Sequence, residues 1–247
     1  MKKQDVIGDK DTVFKGREFY ARTAGLYDAA CSFDFNDEHF IGVAALSGLM
    51  QHYGIRSLLD VGCGTGRAIL YIKDRHPDLV LHGVEPVAAL RELAIQKGLL
   101  PSEISEGDAC KLAFPDSSFD CVSAFGVLHH IPNPAHAIRE MKRVAKRAIF
   151  ISDHNLYGMG SLTTKTIKQM FRDFGLKGVL KIILTRGKGY HDTNWDGIFY
   201  PFSIVDYFDA IKFEQGQTFT FSTKGCAVNL YREASHIGVF TINKNAG

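Results

Sequence analysis

The chain has 247 residues, of which 45% are apolar and 23% charged, and its formal net charge is +2. That length suits one domain with an insertion, and the composition suits a globular protein able to bury a core. No apolar run approaches the roughly eighteen residues that span a bilayer, and the opening MKKQDVIGDKD lacks a secretory apolar stretch, so a cytoplasmic location without a transmembrane segment is expected. Five cysteines, Cys31, Cys63, Cys110, Cys121 and Cys226, form no C-x-x-C pair. This argues against a zinc cluster or a disulfide framework and predicts buried thiols.

In chain order, residues from Phe14 to Tyr53 read as two helices with a break near Cys31 to Asp37. Apolar runs follow at Ser57 to Gly62, Val80 to Glu85, near Ile104, Phe119 to Phe125 and Arg147 to Asp153. Helical segments lie between them, which is the pattern of parallel strands joined by crossover helices. In EPVAALRELAIQKG, Pro86 suits a first turn, Val87, Leu90, Leu93 and Ala94 share a face, and Gly98 supplies a stop. In NPAHAIREMKRVAK, Asn133 is placed to cap, Pro134 to open the helix, and Ile138, Met141, Val144 and Ala145 to form its buried stripe. Residues 155–200 read as an insertion of two helices, SLTTKTIKQMFRDFG and LKGVLKIILTR, then a loop, GKGYHDTNWDGIFYPFS. The alternating segments Gln217 to Thr223 and His236 to Asn243 read as a closing antiparallel pair.

The most informative stretch is LLDVGCGTGRAIL, a strand that runs into Gly62, Gly64 and Gly66 and resumes as a helix. Such a turn presents backbone N–H groups at the carboxyl edge of a sheet, where open α/β folds bind ligands. In a dinucleotide fold the third glycine would fall where Arg67 stands, and this weakens a nicotinamide oxidoreductase reading.

LDVGCGTG, then GVEP, GDACKLAFPDSSFD and VLHHIPNP, in that order, resemble the motifs of the class I S-adenosylmethionine-dependent methyltransferases. The resemblance spans Ser57 to Asp153, about two fifths of the chain. It implies an α/β fold with a doubly wound, seven-stranded, mostly parallel sheet, a closing antiparallel hairpin, a helical N-terminal cover and a helical insertion. The expected division is one domain, 1–247, with cover 1–55, cofactor-binding core 56–154, insertion or lid 155–202, and C-terminal helix and hairpin 203–247. The implied cofactor is S-adenosyl-L-methionine, with S-adenosyl-L-homocysteine as product. By the same resemblance Gly62, Cys63 and Gly64 cradle it, Glu85 followed by Pro86 takes the ribose hydroxyls, and Asp108 beside Ala109 takes the adenine amino group. Asp60 orders the turn and the cofactor ammonium, Phe125 flanks the adenosyl group, and His130 lines or braces the site. Tyr20 and Tyr27 cover the methionine end. A turn role for Asp108 and core packing for the tyrosines are the alternatives.

A hydroxyl acceptor needs a base, whereas a neutral amine needs only orientation. His129, His130, Asp153 and His154 lie at the carboxyl ends of the fourth and fifth strands. His154 beside Asp153 is the preferred base, because an unperturbed imidazole titrates near neutrality; His191 with Asp192 is the substitute. No spacing identifies a metal-ligand set, so no metal is expected. The insertion carries seven cations, Lys165, Lys168, Arg172, Lys177, Lys181, Arg186 and Lys188, against Asp173 alone, a local surplus of +6 that leaves −4 elsewhere. It reads as a solvated face, or as a lid for an anionic or lipid-linked acceptor or a membrane surface. Tyr190, Trp195 and Tyr200 beside His191, Asp192 and Asp196 suit a polar ring. A small-molecule or glycan hydroxyl is therefore the expected acceptor. RNA methylation is disfavoured because the basic patch has few interleaved aromatics, no appended RNA-binding domain is recognisable, and the N-P-P-Y signature is missing where the chain reads AFGVLHH. A protein of this fold that binds cofactor without turnover is the non-enzymatic alternative.

Overall fold

A computed structural model describes residues 7–30, 37–225 and 229–243. Helices α1 (Ile7–Ala30) and α2 (Glu38–Tyr53) precede the sheet. Then come β1 (Ser57–Val61), α3 (Arg67–Arg75), β2 (Val80–Val84), α4 (Ala88–Gln96), β3 (Ile104–Ser105), β4 (Phe119–Phe125), α5 (Pro134–Val144) and β5 (Ala145–His154). The insertion holds α6 (Leu162–Asp173), α7 (Lys177–Leu184), β6 (His191–Thr193) and β7 (Gly197–Phe199), and the chain closes through β8 (Gly216–Ser222) and β9 (His236–Asn243).

The main sheet has seven strands in the order β3-β2-β1-β4-β5-β9-β8. Strands β1 to β5 pair in parallel, and β9 runs antiparallel to both β5 and β8. The chain winds outward from β1 to β3, then crosses back to β4, so the strand order reverses between β1 and β4. In such sheets the crevice for a ligand opens at the carboxyl ends of those two strands.

Alternation along the central strands divides two cores. Leu58, Cys121, Ala148 and Phe150 face α2 and α3, whose Val43, Leu46, Met50, Ile69 and Ile72 pack on them. Leu59, Val61, Val122, Ala124, Ile149 and Ile151 face α5, which contributes Ala137, Ile138, Met141 and Val144. Both faces are covered, as the near-continuous apolar strands require. Toward the carboxyl edge the first face turns polar, and in the pairing of β1 with β4 Asp60 lies opposite Ser123. The hydroxyl of Ser123 donates to Asp60 Oδ1 at 2.7 Å, so the buried carboxyl has the partner its position demands.

Several local expectations need correction. Pro86 lies outside α4, because Val87 is the cap residue and the helix begins at Ala88. Asn133 holds the cap position of α5 but its side chain makes no capping bond, whereas Pro134 does open the helix. Cys63 and Cys121 are buried while Cys110 is half-buried; Cys31, Cys226 and the proposed break at 31–36 lie outside the described residues. The end of the insertion is an antiparallel hairpin, β6–β7, where the sequence suggested a loop. Its three-residue strands are too short for alternation to register, and it is fixed from outside, with Phe19 of α1 lying against Gly197 (φ +62°). Among the described residues, the C-terminal helical part of 203–247 is three short turns, Ile204–Tyr207, Phe208–Ile211 and Leu230–Glu233.

The three turn glycines answer to different constraints. All have positive φ. A Cβ on Gly62 would stand 2.6 Å from Val127, and one on Gly66 2.9 Å from Leu99, so at both the protein itself closes on the backbone. At Gly64 nothing lies within 4 Å of that position. Gly62→Ala is accordingly expected to destabilise the fold by about 2–4 kcal/mol in denaturant unfolding, through overpacking and left-handed strain together, and Gly64→Ala by less, through strain alone.

Candidate active site

The glycine turn is pinned to β2. The amides of Gly62 and Cys63 both donate to Val84 O, at 2.7 and 3.1 Å. Glu85, 5% exposed, takes the Gly64 amide on Oε2 at 3.0 Å and the Val87 amide on Oε1 at 2.9 Å. Burial raises the Glu85 carboxyl, and these amides with Arg91 and Arg17 oppose the rise. Burial likewise pushes Asp60 up to about 7, with the Ser123 bond opposing and the charge of Glu85 adding to it. Asp60 thus lies in the field of Glu85 behind the turn, at a cleft lined by His39, Asp60, Gly62, Cys63, Gly64, Arg67 and Phe125, among others.

A second cluster stands at the ends of β4 and β5. Asp153, fully buried, accepts from the Leu128 amide at 2.8 Å and the His154 amide at 2.7 Å, and pairs with His129 Nδ1 at 2.7 Å. His129 Nε2 lies 3.6 Å from Asp196 of the β6–β7 turn. Burial alone would lower the His129 imidazole, but Asp153, reinforced by Asp196, raises it to about 9. Burial would raise both carboxyls, yet the cation between them holds Asp153 and Asp196 below the usual range. His130 donates from Nδ1 to Ile198 O at 2.8 Å, which leaves Nε2 as the acceptor 2.9 Å from the Tyr20 hydroxyl. Burial and the neighbouring His129 lower His130 to about 4. Tyr20 also reaches Asp196 Oδ1 at 3.0 Å, so α1 closes the cluster from above.

Of the residues expected from sequence, Asp60, Gly62, Cys63, Gly64 and Phe125 share the cleft, with Glu85 behind the turn. Tyr20, His130 and Asp153 meet in the second cluster; the side chain of Tyr27 lies outside the described residues. Asp108 is half-exposed, bound on Oδ2 by Arg17 and on Oδ1 by the Cys110 amide, the geometry of a turn aspartate, with Ala109 packed toward the core below α5. His154 does not titrate near neutrality. Its ring stacks on His129 at 3.9 Å, and burial with that cation pushes it well below the ordinary value. His191 stacks on Phe199 at 4.9 Å, and burial lowers it too. The sequence reading passed over Asp196 as a base partner and left out His39, whose ring lies 2.7 Å from where a Gly126 Cβ would stand. No local pattern marks either residue, because each reaches the site only through a neighbouring element. The spacing showed no metal-ligand set, yet among the described residues the fold gathers two candidate sets, His129, His130 and Asp196, and His129, Asp153 and His154, each with ligand atoms within 4.8 Å of one another.

Residues 59–150 match the methyltransferase-domain family. The match supports a class I S-adenosylmethionine-dependent methyltransferase domain over that stretch, about two fifths of the chain. The chain is 34% identical over 151 residues to demethylmenaquinone methyltransferase of Deinococcus radiodurans, covering 56% of this chain and 59% of that one. It is 36% identical over 96 residues to ajmaline N-methyltransferase of Rauvolfia serpentina, covering 36% and 32%. The chain thus spans between a third and three fifths of the length of these relatives. Its fold matches an S-adenosylmethionine-dependent methyltransferase of Thermotoga maritima with a TM-score of 0.59 at 16% identity, over 92% of this chain and 99% of that one. It also matches a plantazolicin methyltransferase solved with S-adenosylhomocysteine, with a TM-score of 0.54 at 13% identity, over 95% and 97%.

The cleft fits the cofactor of this family. The cofactor is cationic at its methionine end, and the cleft offers buried carboxyls and a backbone bend open at Gly64. Gly64→Val and Glu85→Ala should each weaken S-adenosylhomocysteine binding in calorimetry, and unchanged affinity in both would dismiss this site. A cation is attracted only to ionised Asp60, so affinity should rise with pH by up to about tenfold per unit below 7 and level off above it. Asp60→Asn should flatten that profile.

Proposed function

We propose that the protein transfers a methyl group to a hydroxyl of a small-molecule or glycan acceptor, with His129 as the base. When bound, S-adenosylmethionine supplies a methyl group on a sulfonium leaving group, which departs as S-adenosylhomocysteine. Gly62, Cys63 and Gly64 would hold it with Asp60, Glu85 and Phe125, and Asp108 would serve the adenine end if its Arg17 pair opens. The observation that carries the acceptor reading is the run Asp153, His129, Asp196. Asp153 fixes the imidazole with its Nδ1 proton directed inward, so only Nε2 is available to a substrate. A hydroxyl admitted between Nε2 and Asp196 is oriented by the carboxylate and gives its proton to the neutral imidazole. A base built in this way is needed for a hydroxyl and superfluous for a neutral amine.

His154 and Asp153 keep a part in this scheme as positioning residues. The ring of His154 supports the face of His129, and Asp153 sets its tautomer. Tyr20 and His130 close the opposite side and help exclude water. Trp195, 74% exposed beside Phe199, offers an aromatic surface of the kind that stacks on sugar rings. Relatives named for demethylmenaquinone, ajmaline and phosphatidylethanolamine differ too much among themselves to indicate an acceptor, so the chain's own site has to.

Turnover should climb with pH through about 9, as His129 loses its proton. Asp196→Asn removes one of the two anions that hold that proton, so the rising limb should move to lower pH. A limb that stays in place would reject His129 as the base. The convergence of His129 Nε2, His130 Nε2 and Asp196 supports a second reading, in which a divalent ion activates the hydroxyl. Under that reading a chelator abolishes turnover and added metal restores it; acid–base catalysis by His129 predicts no change.

A further inference from the structure

Helix α6 is turned inside out. Its polar side faces the protein: Lys168 is buried and donates to Leu156 O and Met159 O, at 2.6 and 2.7 Å. Gln169, also buried, donates to Tyr157 O and Arg232 O, and Lys165 reaches Glu233 O at 3.2 Å. Arg172 pairs with Asp173, and Lys177 of α7 pairs with Asp206. Four of the seven insertion cations are therefore engaged within the fold.

The outward side carries an apolar stripe among exposed Thr163, Thr166 and Asp173. Ile167, Met170 and Phe174 repeat at helical spacing on α6, and Val179, Ile182 and Ile183 share a face of α7. Phe174 is 74% exposed and Ile182 62%. An amphipathic helix whose apolar stripe faces a core is ordinary, but here carbonyl-bound lysine and glutamine take the inner side. The three remaining cations, Lys181, Arg186 and Lys188, are exposed on α7 and just beyond it.

We propose that the outer face of α6 and α7 docks on an anionic lipid bilayer, with the apolar side chains entering the headgroup and acyl boundary and Lys181, Arg186 and Lys188 meeting lipid phosphates. Charge complementarity selects this occupant: exposed Lys181, Arg186 and Lys188 beside exposed apolar side chains match an anionic bilayer, which sets opposite charge around an apolar interior. No helix among the described residues is long and apolar enough to cross the membrane, so the contact is peripheral. The same insertion carries Asp196, and, resting on the methyl-transfer reading, docking would bring the site to a lipid-anchored acceptor.

The test is cosedimentation of the full chain, without cofactor or acceptor, with phosphatidylcholine vesicles containing about 30% phosphatidylglycerol. Its failure is thus separate from failure of the methyl-transfer reading. The protein should sediment with these vesicles, far less with phosphatidylcholine alone, and less as salt rises. Lys181→Gln, Arg186→Gln and Lys188→Gln combined should lower partitioning about a hundredfold, at roughly fivefold for each charge. Phe174→Asp with Ile182→Asp should abolish it, while thermal melting and S-adenosylhomocysteine affinity stay as in the unmodified chain. Protein left in the supernatant with anionic vesicles, or variants that bind like the parent, would overturn the proposal. So would a concentration-dependent dimer that the apolar substitutions dissolve in the absence of any vesicle binding.

Discussion

The carboxylate of Glu85 joins two turns that would otherwise be independent. One oxygen accepts the Gly64 amide after β1 and the other the Val87 amide ahead of α4, and burial strengthens both bonds by excluding competing water. The glycine turn therefore has one geometry instead of several. Its open side is fixed at the edge where β1 and β4 part, and Asp60, bonded to Ser123 of β4, holds the floor of the same crevice. Each element of the cleft leans on this link between neighbouring strands.

The second cluster is assembled from more distant pieces: His129 and His130 after β4, Asp153 on β5, Asp196 in the hairpin and Tyr20 on α1. A protonated imidazole between two carboxylates leaves about one net negative charge, where a neutral imidazole would leave two in the same buried site. The stacking of His154 on His129 shows how such a site couples neighbours, since the carboxylates drive one histidine up while burial and the charge on that ring drive the other down. The acid–base capacity of the site belongs to this group of residues and to none of them singly.

The insertion contributes to both properties. Its hairpin delivers Asp196 to the cluster and Ile198 O to His130, while α6 directs Lys168 and Gln169 inward and Ile167 and Met170 outward. Thr12 of α1 meets Tyr200 at 2.7 Å, so the cover and the insertion are fastened together over the carboxyl edge. The surface that faces outward and the residues that face the site are thus parts of one unit.

Apolar runs separated by helical segments, alternation in the closing pair, the glycine bend, and acids at strand ends were all legible in the sequence, because each depends on residues within a few positions of one another. From these came the sheet, its closing antiparallel pair and the cleft residues Asp60, Gly62, Gly64 and Phe125. The tertiary structure alone decided that Val127 and Leu99 impose two of the three glycines, that Asp108 is held by Arg17, and that His129, not His154, bears the charge. It alone decided which side of α6 meets the protein, for the periodicity of that helix is the same whichever way it is rolled. The physical reason is common to all four: proton affinity, close approach and burial are set by neighbours brought together across tens of residues, and local spacing carries no record of them.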